Sequence, residues 1–297
     1  MRKIGIIGLG NMGMGIAKNV IKTGYDTIGY DLRDDCLKDI ISNGGLAAKS
    51  VSEVGEYSDV VFVMVMNGKQ VEEVVKQLSP GMKDSGTIII TATITPEEVK
   101  STYKIALENN ISMIDSPVSG GLQGAHDGTL TLMTAAKQPV FDDCEKILKS
   151  ISKNMIHVGQ EIGDGQTVKA SLQALIGSTF TAIFESLVLG SKAGIDGKIL
   201  YDVFSTSGVS SPLFKNCAKL ILDRKFENTG SHISTMYKDL GISMDMAKKN
   251  GVPMFTTGAA FELFQAGISM YPDGDNWSIV KLLEQMAGTE VNWKQNN

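Results

Sequence analysis

Cysteine is scarce: Cys36, Cys144 and Cys217 are the three in 297 residues, and their spacing matches no metal or redox motif. They read as free thiols in a reducing compartment. Histidine is equally sparse. His126, His157 and His232 are scattered, so no zinc or other metal site is expected. Positive charge is in deficit, with 28 Lys and Arg against 33 Asp and Glu and a net charge of −5. Such a chain has no field to hold nucleic acid or an anionic membrane, so an anionic ligand must be held by local groups. The uncharged run 170–184 is too short, and too rich in Ser, Thr and Gln, to span a bilayer. The apolar stretch after Met1-Arg2-Lys3 stops at Gly8 and Asn11, too early for a secretory h-region. A cytoplasmic location is the expectation. Neither a low-complexity linker nor an internal repeat is visible. What remains, at 42% hydrophobic and 21% charged residues, is an ordinary globular composition with room for two domains.

The apolar run Lys3–Ile7 leads into Gly8-Leu9-Gly10-Asn11-Met12-Gly13 and then a helical stretch closed by Gly24. Strand, GxGxxG turn and helix in that order form a dinucleotide fingerprint. Its glycines permit a tight turn, close approach of pyrophosphate and close helix packing, and the helix N-terminus offers N–H groups to the phosphates. A second strand, 27–30, ends in Asp31. A carboxylate there accepts from the adenosine ribose and repels a 2′-phosphate, which favours NAD; Arg33 keeps NADP open. The alternation continues with strands at 60–66, 86–91 and 111–115, and helices at 71–78 and after Thr95-Pro96-Glu97-Glu98, a capped start with proline at the first position. This predicts an α/β, mostly parallel, doubly wound Rossmann domain. Ligands of such sheets lie at strand C-termini, which directs attention to Met66, Asn67, Thr93 and the segment after Asp115.

That segment, Asp115-Ser116-Pro117-Val118-Ser119-Gly120-Gly121, offers a hydroxyl and two unobstructed backbone N–H groups, suited to a carboxylate. A flexible glycine loop has the same composition. After Val158 strand signals stop and helical stretches follow, so the expected domains are 1–162 and 163–297, the second all-α and opening on a long helix over 165–193. At 1.5 Å per residue about 30 residues make a helix of about 45 Å. Its apolar residues fall all round, which predicts burial. Lys169 is the lone cation of its first turns, beside Gly163 and Gly165, which would let a ligand approach, and Gln173 lies one turn on. A buried ammonium is costly without a partner or a task. Lys238, in Lys238-Asp239-Leu240, reads on its own as half of a solvated pair.

Taken together, the glycine turn, the Asp115–Gly121 segment, Gly163-x-Gly165-x-x-x-Lys169-x-x-x-Gln173 and Lys238-Asp239-Leu240 resemble the β-hydroxyacid dehydrogenase family, in order and over nearly the whole chain. The resemblance implies reversible hydride transfer between a nicotinamide and a small 3-hydroxyacid of 3-hydroxyisobutyrate, glycerate, tartronate semialdehyde or threonate type. It implies that Lys169 is the catalytic lysine, that Ser119, Gly120 and Gly121 bind the substrate carboxylate, and that Gln173 binds its hydroxyl. It also implies that Val65, Met66 and Thr93 contact the nicotinamide side of the cofactor, that Lys238 closes over it, and that the chain forms dimers or tetramers.

The chemistry suits these residue types. Loss of hydride from a carbinol carbon requires the hydroxyl proton to leave, and a neutral lysine can take it. Burial should lower the pKa of Lys169 from its ordinary ~10.4, as should a neighbouring Lys238, while the substrate carboxylate should push back. Two departures from the family bear on the substrate: Leu172 precedes Gln173 where relatives often carry Asn or His, and Thr229-Gly230-Ser231 replaces a Pro-Gly-Phe. Gln173 and the Lys238–Ile242 stretch lean toward the tartronate semialdehyde and threonate branches. Two alternatives stand beside this reading: a semialdehyde or imine reductase on the same scaffold, and a catalytically silent NAD-binding module.

Overall fold

In a computed structural model of the protein, residues 2–294 are described; Met1 and 295–297, the outer ends of the two expected domains, lie outside the described residues. The chain divides into two compact units, Met1–Lys169 and Ala170–Asn297.

The first unit carries the strands β1 (Lys3–Ile7), β2 (Asp26–Tyr30), β3 (Leu46–Ala47), β4 (Val60–Val63), β5 (Thr87–Ile90), β6 (Ser112–Asp115), β7 (Val118–Ser119), β8 (Leu130–Ala135) and β9 (Ser152–Gly159). Its helices are α1 (Asn11–Lys22), α2 (Asp34–Ser42), α3 (Val51–Tyr57), α4 (Gly68–Leu78), α5 (Pro96–Glu108), α6 (Gly121–Asp127) and α7 (Gln138–Lys149). One sheet runs β3-β2-β1-β4-β5-β6-β8-β7, with β9 beside β8. The pairs from β3 to β6 are parallel, and β8 turns antiparallel to β6 and β7. The expected doubly wound, mostly parallel architecture is therefore present.

The central strands read as continuous apolar runs because both faces are covered. Alternate residues point to opposite faces: Ile4, Ile6, Val60, Phe62 and Ile89 enter one core, and Ile7, Val61, Val63, Ile88 and Ile90 enter the other. The start of α5 has the cap anticipated from Thr95-Pro96, with the Thr95 hydroxyl accepting from the Glu98 N–H and the Glu98 carboxylate accepting from the Thr95 N–H.

Two short features differ from expectation. The segment 115–125 is not a plain glycine loop, since it forms β7 and then the first turns of α6. The helices α2 and α3, seven to nine residues long, carry too few apolar repeats to register as periodic.

The long helix α8 (Asp164–Lys192) has 29 residues, about 44 Å of rise. The division between the units falls inside it, between Lys169 and Ala170. Uniform burial of α8 is not observed. Its most apolar stretch is only half buried, and Leu175 and Leu189 are 66% and 72% exposed. A helix apolar all round can still present one face to solvent or to a partner.

The second unit is all-α, as expected. It continues α8 and adds α9 (Gly197–Thr206), α10 (Pro212–Leu222), α11 (Ile233–Lys249), α12 (Phe255–Met270) and α13 (Ile279–Ala287). Its core gathers Phe180, Phe184, Phe214, Leu240, Phe264 and Trp277, among others.

Candidate active site

The sheet register aligns the ends of the parallel strands. Ile7 pairs with Tyr30 and with Val63, Val63 with Ile90, and Ile90 with Asp115. The chain leaves all of these strands along one edge. The Gly8 N–H donates to Tyr30 O at 2.9 Å, Met64 N–H to Ile7 O at 2.8 Å, and Ser116 N–H to Ile90 O at 2.9 Å. The glycine turn, Val65, Met66, Thr93 and the Ser119–Gly121 segment are thereby gathered on the side of the sheet where open α/β folds bind ligands.

The turn is built for a dinucleotide. Gly8 has φ +86°, and a Cβ on Gly13 would lie 1.8 Å from the Gly8 carbonyl oxygen. Only glycine at 13 lets α1 start this close to β1. Gly10 caps α1 with no side-chain hydrogen bond, which leaves first-turn N–H groups available to an anion. The Leu9 N–H donates to Asp31 at 2.8 Å, and the Arg33 N–H and Nε donate to the same carboxylate at 3.0 and 3.1 Å. Burial alone would raise the Asp31 carboxyl, but the Arg33 side chain and the two backbone donors outweigh it and hold the group below its ordinary range. An ionised Asp31 thus directly follows β2, where an adenosine ribose would be read. These residues fit an NAD-type cofactor.

Ser119 ends β7, and Gly120 and Gly121 follow with φ +127° and +62°. Nothing lies within 4 Å of where a Gly121 Cβ would sit, so the backbone at Gly121 is open to a ligand, while a Cβ on Gly120 would lie 3.3 Å from Leu130 Cδ2. Met66 is exposed, with its N–H held by the Gln70 side chain at 2.8 Å.

The root of α8 is tied to the same edge by two residues that the sequence reading did not single out. Asp115, fully buried, accepts from the Gly163 N–H at 2.9 Å, the Gln166 N–H at 3.2 Å and Gln166 Nε2 at 2.9 Å. Burial pushes its carboxyl up to about 6, and the N–H donors limit the rise. Gln166 also donates to Ala92 O at 3.0 Å and accepts from the Ile94 N–H at 3.1 Å. The signal that could have found Asp115 is a carboxylate closing a buried strand; Gln166 carries none. The space beside Gly163 and Gly165 is not left for ligand as expected: a Gly165 Cβ would lie 2.6 Å from Met133 O, and one on Gly163 would lie 2.5 Å from Lys100 Cε. Lys169 stands three residues beyond Gln166 and is 6% exposed.

In the second unit Gln173 and Lys238 meet at one carboxylate. Gln173 Nε2 donates to Asp239 Oδ2 at 2.6 Å, and Lys238 Nζ lies 3.0 Å from Asp239 Oδ1. Gln173 and Asp239 are buried, so Lys238-Asp239 is not the plain solvated pair its sequence suggests. Among the described residues no cluster of His, Cys, Asp or Glu is arranged to hold a metal ion.

Comparison with known proteins agrees with this arrangement. Residues 3–159 match the family described as the NAD binding domain of 6-phosphogluconate dehydrogenase. Residues 163–283 match the family described as NAD-binding of NADP-dependent 3-hydroxyisobutyrate dehydrogenase. The chain is 32% identical to 2-(hydroxymethyl)glutarate dehydrogenase of Eubacterium barkeri, over 99% of this chain and 98% of that one. It is 31% identical to L-threonate dehydrogenase of Cupriavidus necator, over 95% and 96%. A crystal structure of 3-hydroxyisobutyrate dehydrogenase from Salmonella typhimurium superposes with a TM-score of 0.88 at 28% identity, covering 95% of this chain and all of that one. The glycine fingerprint and the two family matches, over residues 3–159 and 163–283, place the chain in the β-hydroxyacid dehydrogenase family, as an NAD(P)-dependent oxidoreductase that moves hydride between a nicotinamide and a small 3-hydroxyacid.

Proposed function

We propose that Lys169 is the general acid/base of this enzyme. Bound nicotinamide supplies the site that accepts or returns hydride at the carbinol carbon. The protein's part is to hold the acid and move one proton. In oxidation the hydroxyl proton passes to a neutral Lys169 amine as the C–H hydride leaves; in reduction the ammonium returns it to the nascent alkoxide. The Ser119 hydroxyl and the N–H groups of Gly120 and Gly121 hold the substrate carboxylate. Gln173 orients the hydroxyl, and Lys238 closes over the cofactor and substrate. Val65, Met66 and Thr93 line the nicotinamide side. The observation that carries the reading is a buried lysine near the root of α8, three residues beyond Gln166, whose side chain hydrogen-bonds the residues either side of Thr93.

NAD is the preferred cofactor in this reading, because an ionised Asp31 repels a 2′-phosphate and its own ion pair occupies Arg33. The substrate is a 3-hydroxyacid, with one carbon between its carboxylate and its carbinol carbon, an arrangement present in both threonate and 2-(hydroxymethyl)glutarate, on which the relatives are named as acting. A dimer or tetramer is supported by Leu175 and Leu189, apolar and exposed on α8. A reducing, cytoplasmic setting is supported by three cysteines that are buried and free. The test is a panel of 2-(hydroxymethyl)glutarate, L-threonate, 3-hydroxyisobutyrate and glycerate, with their oxidised counterparts and a set of cyclic imines, assayed with NAD(H) and NADP(H). Turnover of at least one 3-hydroxyacid, faster with NAD, is expected. Reduction of cyclic imines with no turnover of any hydroxyacid would overturn the assignment.

A further inference from the structure

One buried amide joins three segments of the first unit. Gln166 Nε2 donates to Ala92 O at 3.0 Å and to Asp115 Oδ1 at 2.9 Å. Its Oε1 accepts from the Ile94 N–H at 3.1 Å, and its backbone N–H donates to Asp115 Oδ2 at 3.2 Å. Both side-chain donors and the acceptor are used, and neither Gln166 nor Asp115 is exposed at all. Ala92 and Ile94 bracket Thr93, and Asp115 opens the segment that ends in Ser119-Gly120-Gly121. Lys169 follows Gln166 by three residues, within one helical turn.

We propose that Gln166, gripped by Asp115, is a positioning residue that sets the register of the Lys169 amine against the Thr93 and Ser119 segments. The inference rests on the reading of Lys169 as the acid/base. A helix start can be capped locally by a Ser, Thr, Asp or Asn one residue ahead of it. Here the first turn of α8 is capped from β6, 48 and 51 residues away in sequence. Burying a carboxylate and an amide is costly unless every polar atom is satisfied, and an apolar contact would join these segments at lower cost. What the polar clamp adds is direction. Its hydrogen bonds hold the helix root to the end of β6 and to the backbone on both sides of Thr93. Acid/base catalysis depends on such placement, since a misplacement of about 1 Å costs on the order of 10²-fold in rate. Gly165 acts in the same sense, allowing the helix backbone to lie against Met133 O and Asp115 O.

The experiment compares Gln166→Met, which keeps the volume and removes all three side-chain hydrogen bonds, with Asp115→Asn, the double variant and Lys169→Ala. Turnover of 2-(hydroxymethyl)glutarate, L-threonate, 3-hydroxyisobutyrate and glycerate is measured per NADH-binding site, with NADH affinity from fluorescence titration. Gln166→Met is expected to lower kcat about 10- to 100-fold while KM and NADH affinity change less than about threefold. Asp115→Asn should do the same, since an amide turned into the Gly163 and Gln166 donors breaks the clamp from its other side. The double variant should fall no further than the worse single one, because both act through one device. A kcat per NADH-binding site equal to that of the parent in both single variants overturns the proposal, whatever the loss in thermal midpoint. So does a loss confined to NADH affinity. Should Gln166→Met not fold, Asp115→Asn carries the same comparison alone. Failure of the Lys169 reading is distinct: Lys169→Ala would then turn over normally.

Discussion

The Gln173 amide nitrogen donates to the Asp239 carboxylate at 2.6 Å, while Lys238 Nζ stands 3.0 Å from the other oxygen of the same group. A carboxylate only accepts, so the NH₂ of Gln173 must face Asp239. Its carbonyl oxygen is thereby committed to the opposite side, as an acceptor suited to a substrate O–H. Asp239→Asn removes that commitment, because an amide can meet Gln173 in either orientation. The expected result is a rise in substrate KM of about tenfold with NADH affinity unchanged, one lost charge-assisted hydrogen bond being worth roughly 1.5 kcal/mol. An unchanged KM would show that the orientation of Gln173 has no bearing on substrate.

Lys238 belongs to the same cluster, and Lys238→Ala should raise the KM for substrate or cofactor. Cys217, wholly buried in the helical core with its thiol pushed far up by burial, is the control. Cys217→Ala should leave both KM values near those of the parent while lowering stability. Steady-state kinetics of the two variants makes the comparison, and equal effects on KM would contradict the role proposed for Lys238.

Asp31 holds the Leu9 N–H and the Arg33 guanidinium. Asp31→Ser removes the charge that repels a 2′-phosphate and frees Arg33 to meet one. The ratio of kcat/KM for NADP to that for NAD should rise at least about tenfold, the equivalent of ~1.4 kcal/mol. A parent enzyme that already uses the two cofactors equally would contradict the role given to Asp31.

Asp115 makes stability depend on pH with an unusual sign. Its carboxyl is raised to about 6 from 3.8, so between those values the folded protein holds a proton that the unfolded chain releases. Its contribution is therefore fully present below about 3.8 and is lost as pH rises through about 6. The full swing is on the order of 3 kcal/mol, at 1.36 kcal/mol for each unit. Measured by thermal unfolding, the stability of the parent relative to Asp115→Asn should grow as pH falls from 7.5 to 5. A difference that is flat or shrinks over that range would mean the carboxyl is not raised.

Much of the first unit is legible from local pattern. Gly8, Gly10 and Gly13 have roles fixed by spacing, and the apolar runs at β1, β4 and β5 announce strands covered on both faces. The short helices α2 and α3 are too brief for a 3.6-residue period to emerge. The clamp at the root of α8 is a different matter. Asp115 and Gln166 are 51 residues apart, and no local pattern marks a hydrogen bond between them. Gly163 and Gly165 look like room for a ligand in sequence, yet Lys100 and the backbones of Asp115 and Met133 fill that room. Asp239 resembles any surface acid following a lysine until its burial is known. Composition likewise predicted a buried α8, because hydropathy counts apolar residues without saying which face has a neighbour.

The most direct test of the account is Lys169→Ala. Turnover of the best 3-hydroxyacid in the panel is measured alongside NADH affinity. A fall in kcat of on the order of 10²–10⁴-fold is expected, with NADH bound as tightly as before. Turnover at the parental rate would contradict it.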